Sequence, residues 1–401
     1  MGTYLANATV VFPDRIVPNT TLRIEDGVID KVGGYGHPMD DVIDVSGDIL
    51  MPGMIDLHCD SLEKDIEPRR NVHFPIEFAL HQNDQRSAMS GITTPFHAIS
   101  FAGEELGIRN NEMAAEVLRD LVNARDDAMV DHRVHCRYEY AEPEGMSVVL
   151  KLINEEMVDL VSLMTHGPGI KQFRNEGTYE AYMVNNYGRT EEQVQEMIAT
   201  KDSHRTTAPE RCRQIARACE EHDILLASHD DDCVETVEDM TRFGVRLSEF
   251  PITLEAAFAA RLLGAATMFG APNILRGKSQ SGSVRAIEAV GKDVIDVLCS
   301  DYHPGTLLPA VFKIPQETDW SLESAIRLVT QNPAAASGLT DRGALVSGLR
   351  ADVLRVQMIN DAPRVSNVWV AGREVLTRRA RGREASVPSA SESKSSREVL
   401  I

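Results

Sequence analysis

The chain has 401 residues and a formal net charge of −20, a length that suits one large α/β domain with a small satellite domain. The negative charge excludes nucleic acid and anionic membranes as general partners, because both require a basic surface. The sequence has no apolar run of the roughly 18 residues that span a membrane and no signal-like N-terminus, so we expect a soluble, cytoplasmic protein.

Residues 1–50 and 345–385 both have the patterns of β structure. The first stretch alternates apolar and polar side chains around the turn sequence Glu25-Asp26-Gly27, and the last does so around Ala371-Gly372. Each stretch is too short to enclose a core alone. We therefore predict one small β-sandwich domain built from both ends of the chain. Residues 386–401 are serine-rich without apolar periodicity, and we expect them to be disordered.

Residues 51–344 alternate strand-like and helix-like segments, as parallel βα units do. The predicted strands are 53–60, 91–99, 132–139, 158–166, 223–229, 245–250, 266–270 and 294–301. Eight such units close a (β/α)8 barrel, in which the chemistry takes place at the C-terminal ends of the strands. The polar insertion at 167–207 is too long for a tight connection, so it is either a lid or a helical decoration of the surface.

Several of these strands end in side chains that bind metals. The first ends in His58-Cys59-Asp60, and strict alternation places His58 and Asp60 on one face, although such a pair in isolation is more often a core histidine and a helix cap. Later strands end in Glu139, His166, His229 and Asp301. Imidazole and carboxylate ligands suit zinc, manganese or iron, and two such cations can share a water whose proton Asp301 takes. The six cysteines form no C-x-x-C pair, so we expect them to be core residues.

These motifs resemble those of the amidohydrolase superfamily over nearly the whole chain, to about Val375. The motifs that carry the resemblance are Pro52-Gly53-Met54-Ile55-Asp56-Leu57-His58-Cys59-Asp60, Gly91-Ile92-Thr93-Thr94, His135-Cys136-Arg137-Tyr138-Glu139, Ser162-Leu163-Met164-Thr165-His166, Ala227-Ser228-His229-Asp230-Asp231, Gly270-Ala271-Pro272-Asn273 and Ser300-Asp301-Tyr302. Many members open with His-x-His, whereas Asp60 in the second position is similar to a phosphonate-degrading branch. The resemblance implies a binuclear centre in which Glu139 bridges the metals, where many relatives use a carboxylated lysine. The later histidine ligands of many relatives follow the fifth and sixth strands, but here they follow the fourth and fifth.

The phosphonate branch implies a reaction and a substrate. The expected substrate is α-D-ribose 1-methylphosphonate 5-triphosphate, attacked at its α-phosphorus with release of diphosphate. A phosphate chain needs cations and polar donors to balance its charge. The candidates for substrate contacts are Lys64, Arg69, Arg137, Lys171, Arg276 and Ser279. For any one arginine, a surface ion pair is the alternative.

Two carboxylates have less certain places in this scheme. Glu249 ends the sixth predicted strand, where it either contacts the ribose, supports a ligand from behind or lies at the edge of the core. Asp230 follows His229 and is expected to orient it.

Two other functions fit the same motifs. The metal centre could hydrolyse a C–N bond in a cyclic amide or an N-acetyl compound, which would not require the basic residues after His58 or around Arg276. Alternatively, the barrel could be an inactive scaffold, but this is disfavoured because no expected ligand is missing. Barrels of this kind often pair, so a homodimer is also expected.

Overall fold

The structure is a computed structural model that describes residues 2–69, 71–103, 110–168, 173, 177–279 and 282–378. Its strands form a mixed sheet made from both ends of the chain and a parallel sheet made from the middle. The tail predicted to be disordered, 386–401, lies outside the described residues. None of the helices described is both long and apolar enough to cross a membrane.

The mixed sheet combines strands from the first 52 residues with strands that begin at residue 353, as the alternating patterns predicted. Its strands are β1 (Thr3–Val11), β2 (Ile16–Glu25), β3 (Val28–Val32), β4 (Asp41–Asp44), β5 (Ile49–Pro52), β14 (Val353–Ile359), β15 (Ala362–Val370) and β16 (Arg373–Thr377). They lie in the order β16-β15-β14-β5-β1-β2-β3, with β4 beside β1. Trp369, only 1% exposed, packs with Leu5, Leu50 and Val353 to form the core of this sheet.

The parallel sheet contains the eight strands that the sequence predicted. They are β6 (Met54–Cys59), β7 (Ile92–Phe101), β8 (Arg133–Glu139), β9 (Leu160–Met164), β10 (Leu225–His229), β11 (Leu247–Glu249), β12 (Ala266–Gly270) and β13 (Val297–Cys299). Each pairs with the next along the chain, and a parallel bridge between Cys59 and Asp301 joins the last strand to the first. The predicted (β/α)8 barrel is thereby confirmed.

Helices surround the barrel, because each strand is followed by a segment with an apolar face. The described α-helices are α1 (Ser61–Ile66), α2 (Ile76–Ser90), α3 (Asn111–Asn123), α4 (Glu144–Asn154), α5 (Thr178–Tyr187), α6 (Glu191–His204), α7 (Ala208–Glu221), α8 (Val234–Arg242), α9 (Leu254–Leu262), α10 (Ala271–Arg276), α11 (Ala286–Gly291), α12 (Leu307–Glu317), α13 (Leu322–Arg327) and α14 (Gln331–Ala336). Leu118 of α3, Val149 of α4 and Ile215 of α7 belong to one buried cluster with Val134 and Cys136 on the outer face of β8. Burial of these side chains holds the helices against the barrel.

The barrel interior is apolar through most of its depth. Ile55, Leu57, Leu160, Leu225 and Leu247 form part of one interior cluster and are at most 3% exposed. This packing fills the barrel, as in other barrels of eight strands. The polar side chains at the C-terminal ends of the strands therefore lie above this apolar layer, at the rim of the barrel.

The described part of the predicted insertion is largely helical. Helices α5 and α6 pack through Tyr179, Met183 and Val194, and Phe173 joins the same buried cluster. Helix α6 begins with a capping box in which Thr190 and Gln193 bond each other's backbone. Whether the insertion moves as a lid stays a prediction.

Candidate metal centre and substrate site

The closure of the barrel brings Asp301 beside the His-x-Asp pair. The backbone N–H of Asp301 donates to the carbonyl of His58 at 2.9 Å, and that of Asp60 donates to the carbonyl of Asp301 at 3.0 Å. Asp230, Phe250 and Asp301 lie one or two residues after the ends of three barrel strands and have φ angles of 58°, 53° and 55°. Such left-handed conformations are costly for residues other than glycine and cluster at functional sites.

Glu249 lies at the centre of the histidine cluster. It is fully buried, accepts a hydrogen bond from Ser162 Oγ at 2.8 Å, and lies 3.2 Å from His229 Nδ1. His58 Nδ1 and His135 Nε2 each lie 3.5 Å from its carboxylate. Burial acts to raise the pKa of Glu249, but these imidazoles outweigh it and hold the pKa well below its usual range. The buried carboxylate is therefore an anion that faces three histidines.

His58 reaches this cluster through an irregularity in its strand. The pairing of β6 with β7 shifts register between Asp56 and Cys59, so strict alternation fails there. The His58 ring lies 5.1 Å from that of His135 and 5.8 Å from that of His229, and the Phe250 ring covers it at 5.0 Å.

Glu139 and His166 form a second group at the ends of β8 and β9. Both the backbone N–H and Nδ1 of His166 contact Glu139 Oε2, at 2.9 and 3.0 Å. Lys201 Nζ of helix α6 lies 3.8 Å from the same oxygen and donates to the carbonyl of His166 at 2.8 Å. Burial opposes ionisation of Glu139, but Lys201 and His166 lower its pKa to about 2. Since Nδ1 of His166 faces this anion, it carries the proton and leaves Nε2 for a metal.

Asp301 has the environment of a proton acceptor. Burial, followed by the charge of Asp60, raises the pKa of Asp301 to about 7, although His58, Arg137 and Lys64 act in the opposite direction. Cations near Asp60 and Asp301 would lower this pKa, as any opposite charge does.

The donor atoms at this end of the barrel fit divalent cations. Within the described residues, His58 Nδ1, Asp60 Oδ1, His135 Nε2 and Glu249 Oε1 are buried without a hydrogen-bond partner, which is costly unless another ligand satisfies them. Two groups of three residues have donor atoms that all lie within 4.8 Å of one another. The first group is His58, His229 and Glu249, and the second is His166, His229 and Asp230. The site can therefore bind a divalent metal, as the sequence predicted.

The two groups differ in part from the ligand set proposed from the sequence. They contain His58, His166 and His229, but among the described residues they omit Asp60, Glu139 and Asp301. The bridging role of Glu139 and the ligand roles of Asp60 and Asp301 stay predictions. Asp230 Oδ2 lies 3.8 Å from His229 Nε2, where it can either orient that ring or share its metal.

Arg137 brings a permanent positive charge into the same space. It is 6% exposed, its Nη2 lies 3.3 Å from His229 Nε2, and its Nη1 lies 3.5 Å from Ser100 Oγ. The planar guanidinium has several N–H donors, so this group can bind and neutralise an anionic ligand beside the histidines.

Other predicted substrate contacts meet at the rim, around Tyr302. Lys64 Nζ lies 5.2 Å from the centre of the Tyr302 ring, and Arg276 Nη1 lies 3.4 Å from its hydroxyl. Arg69 is exposed, and Ser279 Oγ accepts from the backbone of Ser283 at 3.1 Å. Lys171, also predicted to contact substrate, lies outside the described residues.

A cavity of about 200 Å³ opens beside His166 on the other side of the barrel mouth. Its walls come from the ends of β8, β9 and β10 and from helix α6, and the residues that line it include Tyr140, Thr165, His166, Lys201, Arg205 and Asp232. The insertion therefore supplies two basic side chains beside a candidate metal ligand.

Sequence reasoning did not assign several of these residues to the site. His135 shares a strand face with Arg137 and Glu139, so alternation alone could have included it. Alternation along a strand does not identify Lys201, Arg205 or Tyr302. A basic residue on a polar helix or a tyrosine after a strand is common on any protein surface. Only the folded chain shows that they adjoin the metal centre.

Comparisons with known proteins agree with this geometry. The chain is 35% identical over 382 residues to alpha-D-ribose 1-methylphosphonate 5-triphosphate diphosphatase of Escherichia coli strain K12, covering 92% of this chain and 99% of that protein. No protein-family model matches.

Solved structures share the fold at low sequence identity. The chain aligns with 5-methylcytosine deaminase of Klebsiella pneumoniae at a TM-score of 0.65 and 14% identity, over 95% of this chain and 98% of that one. It also aligns with N-acetylglucosamine-6-phosphate deacetylase of Pasteurella multocida at a TM-score of 0.59 and 14% identity, over 93% and 99% of the two chains. The chain also aligns with the crystal structure of an amidohydrolase at a TM-score of 0.63 and 17% identity, over 94% of this chain and 100% of that one.

Proposed function

Since the chain belongs to the alpha-D-ribose 1-methylphosphonate 5-triphosphate diphosphatase family, within the amidohydrolase fold, we propose that it hydrolyses this triphosphate. Water forms a bond to the α-phosphorus, and the bond from that phosphorus to the oxygen shared with the β-phosphorus breaks. The products are α-D-ribose 1-methylphosphonate 5-phosphate and diphosphate. The similarity over nearly the full length of both proteins is the observation that carries the proposal.

The distribution of positive charge supports this substrate. The chain as a whole is strongly acidic, with a net charge of −20, yet Arg137 lies buried among the histidines and Lys64 and Arg276 flank Tyr302 at the rim. A triphosphate requires such local cations, because its charge must be balanced in both the bound state and the transition state.

Metal ions would be held by the side chains at the strand ends. We assign His58, Asp60, Glu139, His166, His229 and Asp301 to a binuclear centre, with Glu249 supporting the histidines. Zinc suits these ligands best, and manganese and iron suit them as well. When bound, such cations polarise a phosphoryl oxygen and make water a better nucleophile.

The chain's own residues then perform the remaining steps. Asp301 accepts the proton of the attacking water, a role that its buried carboxylate beside Asp60 and His58 can serve near neutral pH. Arg137 neutralises a non-bridging oxygen of the α-phosphate. Glu249 fixes the orientation of His58 and His229, because its anion faces both rings.

The test is diphosphate release by the metal-loaded protein and by its Asp301→Asn variant. We expect diphosphate from the ribosyl triphosphate in one step, with kcat reduced by about 10²-fold or more in the variant, because the amide cannot accept the proton. Asp319→Asn, which changes an exposed aspartate, is the matched control and should retain activity. Stepwise release of single phosphates, or full activity in Asp301→Asn, would contradict the proposal.

Hydrolysis of a cyclic amide or an N-acetyl compound is the alternative function for such a metal centre, but no feature of the site favours it among the residues that the structure describes. The three solved structures named in the preceding subsection are at most 17% identical to the chain, which is evidence for the fold alone. Charge reversal at Lys64 and Arg276 distinguishes the two functions, since it should abolish triphosphate hydrolysis and leave an amidase unaffected.

The assembly and the location of the protein stay predictions. We keep the expectation of a homodimer in the cytoplasm, which sedimentation of the purified protein and fractionation of cells can check.

A further inference from the structure

The two basic groups of the site lie on opposite sides of the barrel axis. Lys64, Arg276 and Tyr302 follow the first, seventh and eighth barrel strands, next to Asp301. The cavity beside His166 is formed after the third, fourth and fifth strands, with Lys201 and Arg205 from the insertion. In a closed barrel of eight strands, these two sectors face each other across the metal centre.

We infer that the cavity beside His166 is the subsite for the departing diphosphate. The inference rests on the proposed function, in which the water that attacks the α-phosphorus lies on the Asp301 side of the metal centre. In phosphoryl transfer the attacking and leaving oxygens lie roughly in line through the phosphorus. Diphosphate must therefore leave away from Asp301, towards the third, fourth and fifth strands, where this cavity opens.

The chemistry of the cavity agrees with an anionic occupant. Lys201 is 7% exposed and donates to the carbonyl of His166, so its ammonium is fixed at the inner wall. Arg205 contributes a second cation at the outer wall. Two carboxylates also line the cavity and offset part of this positive charge, since Asp202 lies 4.0 Å from Arg205 and Asp232 accepts from Thr236 at 3.0 Å.

The opposite rim then serves the product that remains. Lys64 and Arg276 flank Tyr302, the residue that follows Asp301, so they contact the ribosyl phosphonate rather than the leaving group. The two products of one reaction are thereby held by different cations, which makes the assignment separable by mutation.

The experiment measures binding of inorganic diphosphate by calorimetry to the metal-loaded protein, together with inhibition by each product. Arg205→Gln should weaken diphosphate binding by about tenfold and leave inhibition by ribose 1-methylphosphonate 5-phosphate unchanged. Arg276→Gln should weaken inhibition by ribose 1-methylphosphonate 5-phosphate and leave diphosphate binding unchanged. Lys201→Met, at the inner wall, should also weaken diphosphate binding. Arg213→Gln, which alters an exposed arginine paired with Glu210, is the control and should change neither.

The outcomes separate this inference from the proposed function. If the wild type releases diphosphate from the triphosphate but Arg205→Gln and Lys201→Met bind diphosphate normally, the subsite is wrong and the function stands. If diphosphate binds with the expected pattern but the triphosphate is not hydrolysed, the function is wrong and the anion site stands. Failure of the wild type to bind diphosphate at millimolar concentration overturns the subsite directly.

Discussion

Glu249 is fully buried, yet it faces three histidines and a serine hydroxyl rather than apolar side chains. We predict that Glu249→Gln weakens metal binding by about 10- to 100-fold, because the amide keeps the shape but loses the charge that orients the imidazoles. Competition with a chelator measures this change. Glu288→Gln, which alters an exposed residue paired with Arg285, is the control. Unchanged metal affinity would mean that Glu249 only fills space.

The residues of the site differ in how far the sequence could identify them. Asp301 and His229 each end an apolar strand, which is a local pattern that alternation and strand length make visible. Glu249 shows the same pattern, but its place among the histidines rather than against a ribose depends on how strands β10 and β11 are aligned. The contact of Lys201 with Glu139 depends on the fold of the insertion, which no local pattern encodes.

At the scale of elements, the junction between β5 and β6 fixes where the first metal-ligand strand begins. A Cβ on Gly53 would lie 2.2 Å from Thr93 Oγ1 and 2.5 Å from Thr93 Cγ2, and Thr93 is itself fully buried. Gly53→Ala should therefore lower the free energy of unfolding by about 1–3 kcal/mol, because either the start of β6 or strand β7, which carries Thr93, must shift.

Urea unfolding checks this change against Gly291→Ala. Gly291 is exposed at the end of α11, and a methyl group added there would meet no heavy atom within 4 Å, so the control should stay within about 0.5 kcal/mol of the wild type. Equal stability of the two variants would show that the strands tolerate the extra methyl group.

At the scale of the molecule, a buried arginine joins the barrel to the mixed sheet. Arg342 Nη1 donates to Thr94 Oγ1 at 2.9 Å and to Asp131 at 2.6 Å, and lies 3.8 Å from Asp352 just before β14. Arg342→Met should destabilise the protein by about 3 kcal/mol, because it removes a partner from the buried carboxylate of Asp352 and from the partly buried one of Asp131.

The matched control for this variant is Arg261→Met, since Arg261 is 36% exposed and its acidic neighbours are 3.7 Å or more away. The control should cost less than about 1 kcal/mol in urea unfolding. A loss of similar size in both variants would show that Arg342 contributes no more than a surface ion pair does.

The sequence by itself determined the barrel with its eight strands, the mixed sheet from both ends and the residue types at the strand ends. These features follow from alternation and segment length, which are properties of neighbouring residues. Only the tertiary structure decided which of these side chains meet. Ser300 N–H bonds Asp56, 244 residues away, and the same closure places Asp301 beside His58. Such contacts depend on the register and closure of the whole barrel, because they join residues that no local pattern relates.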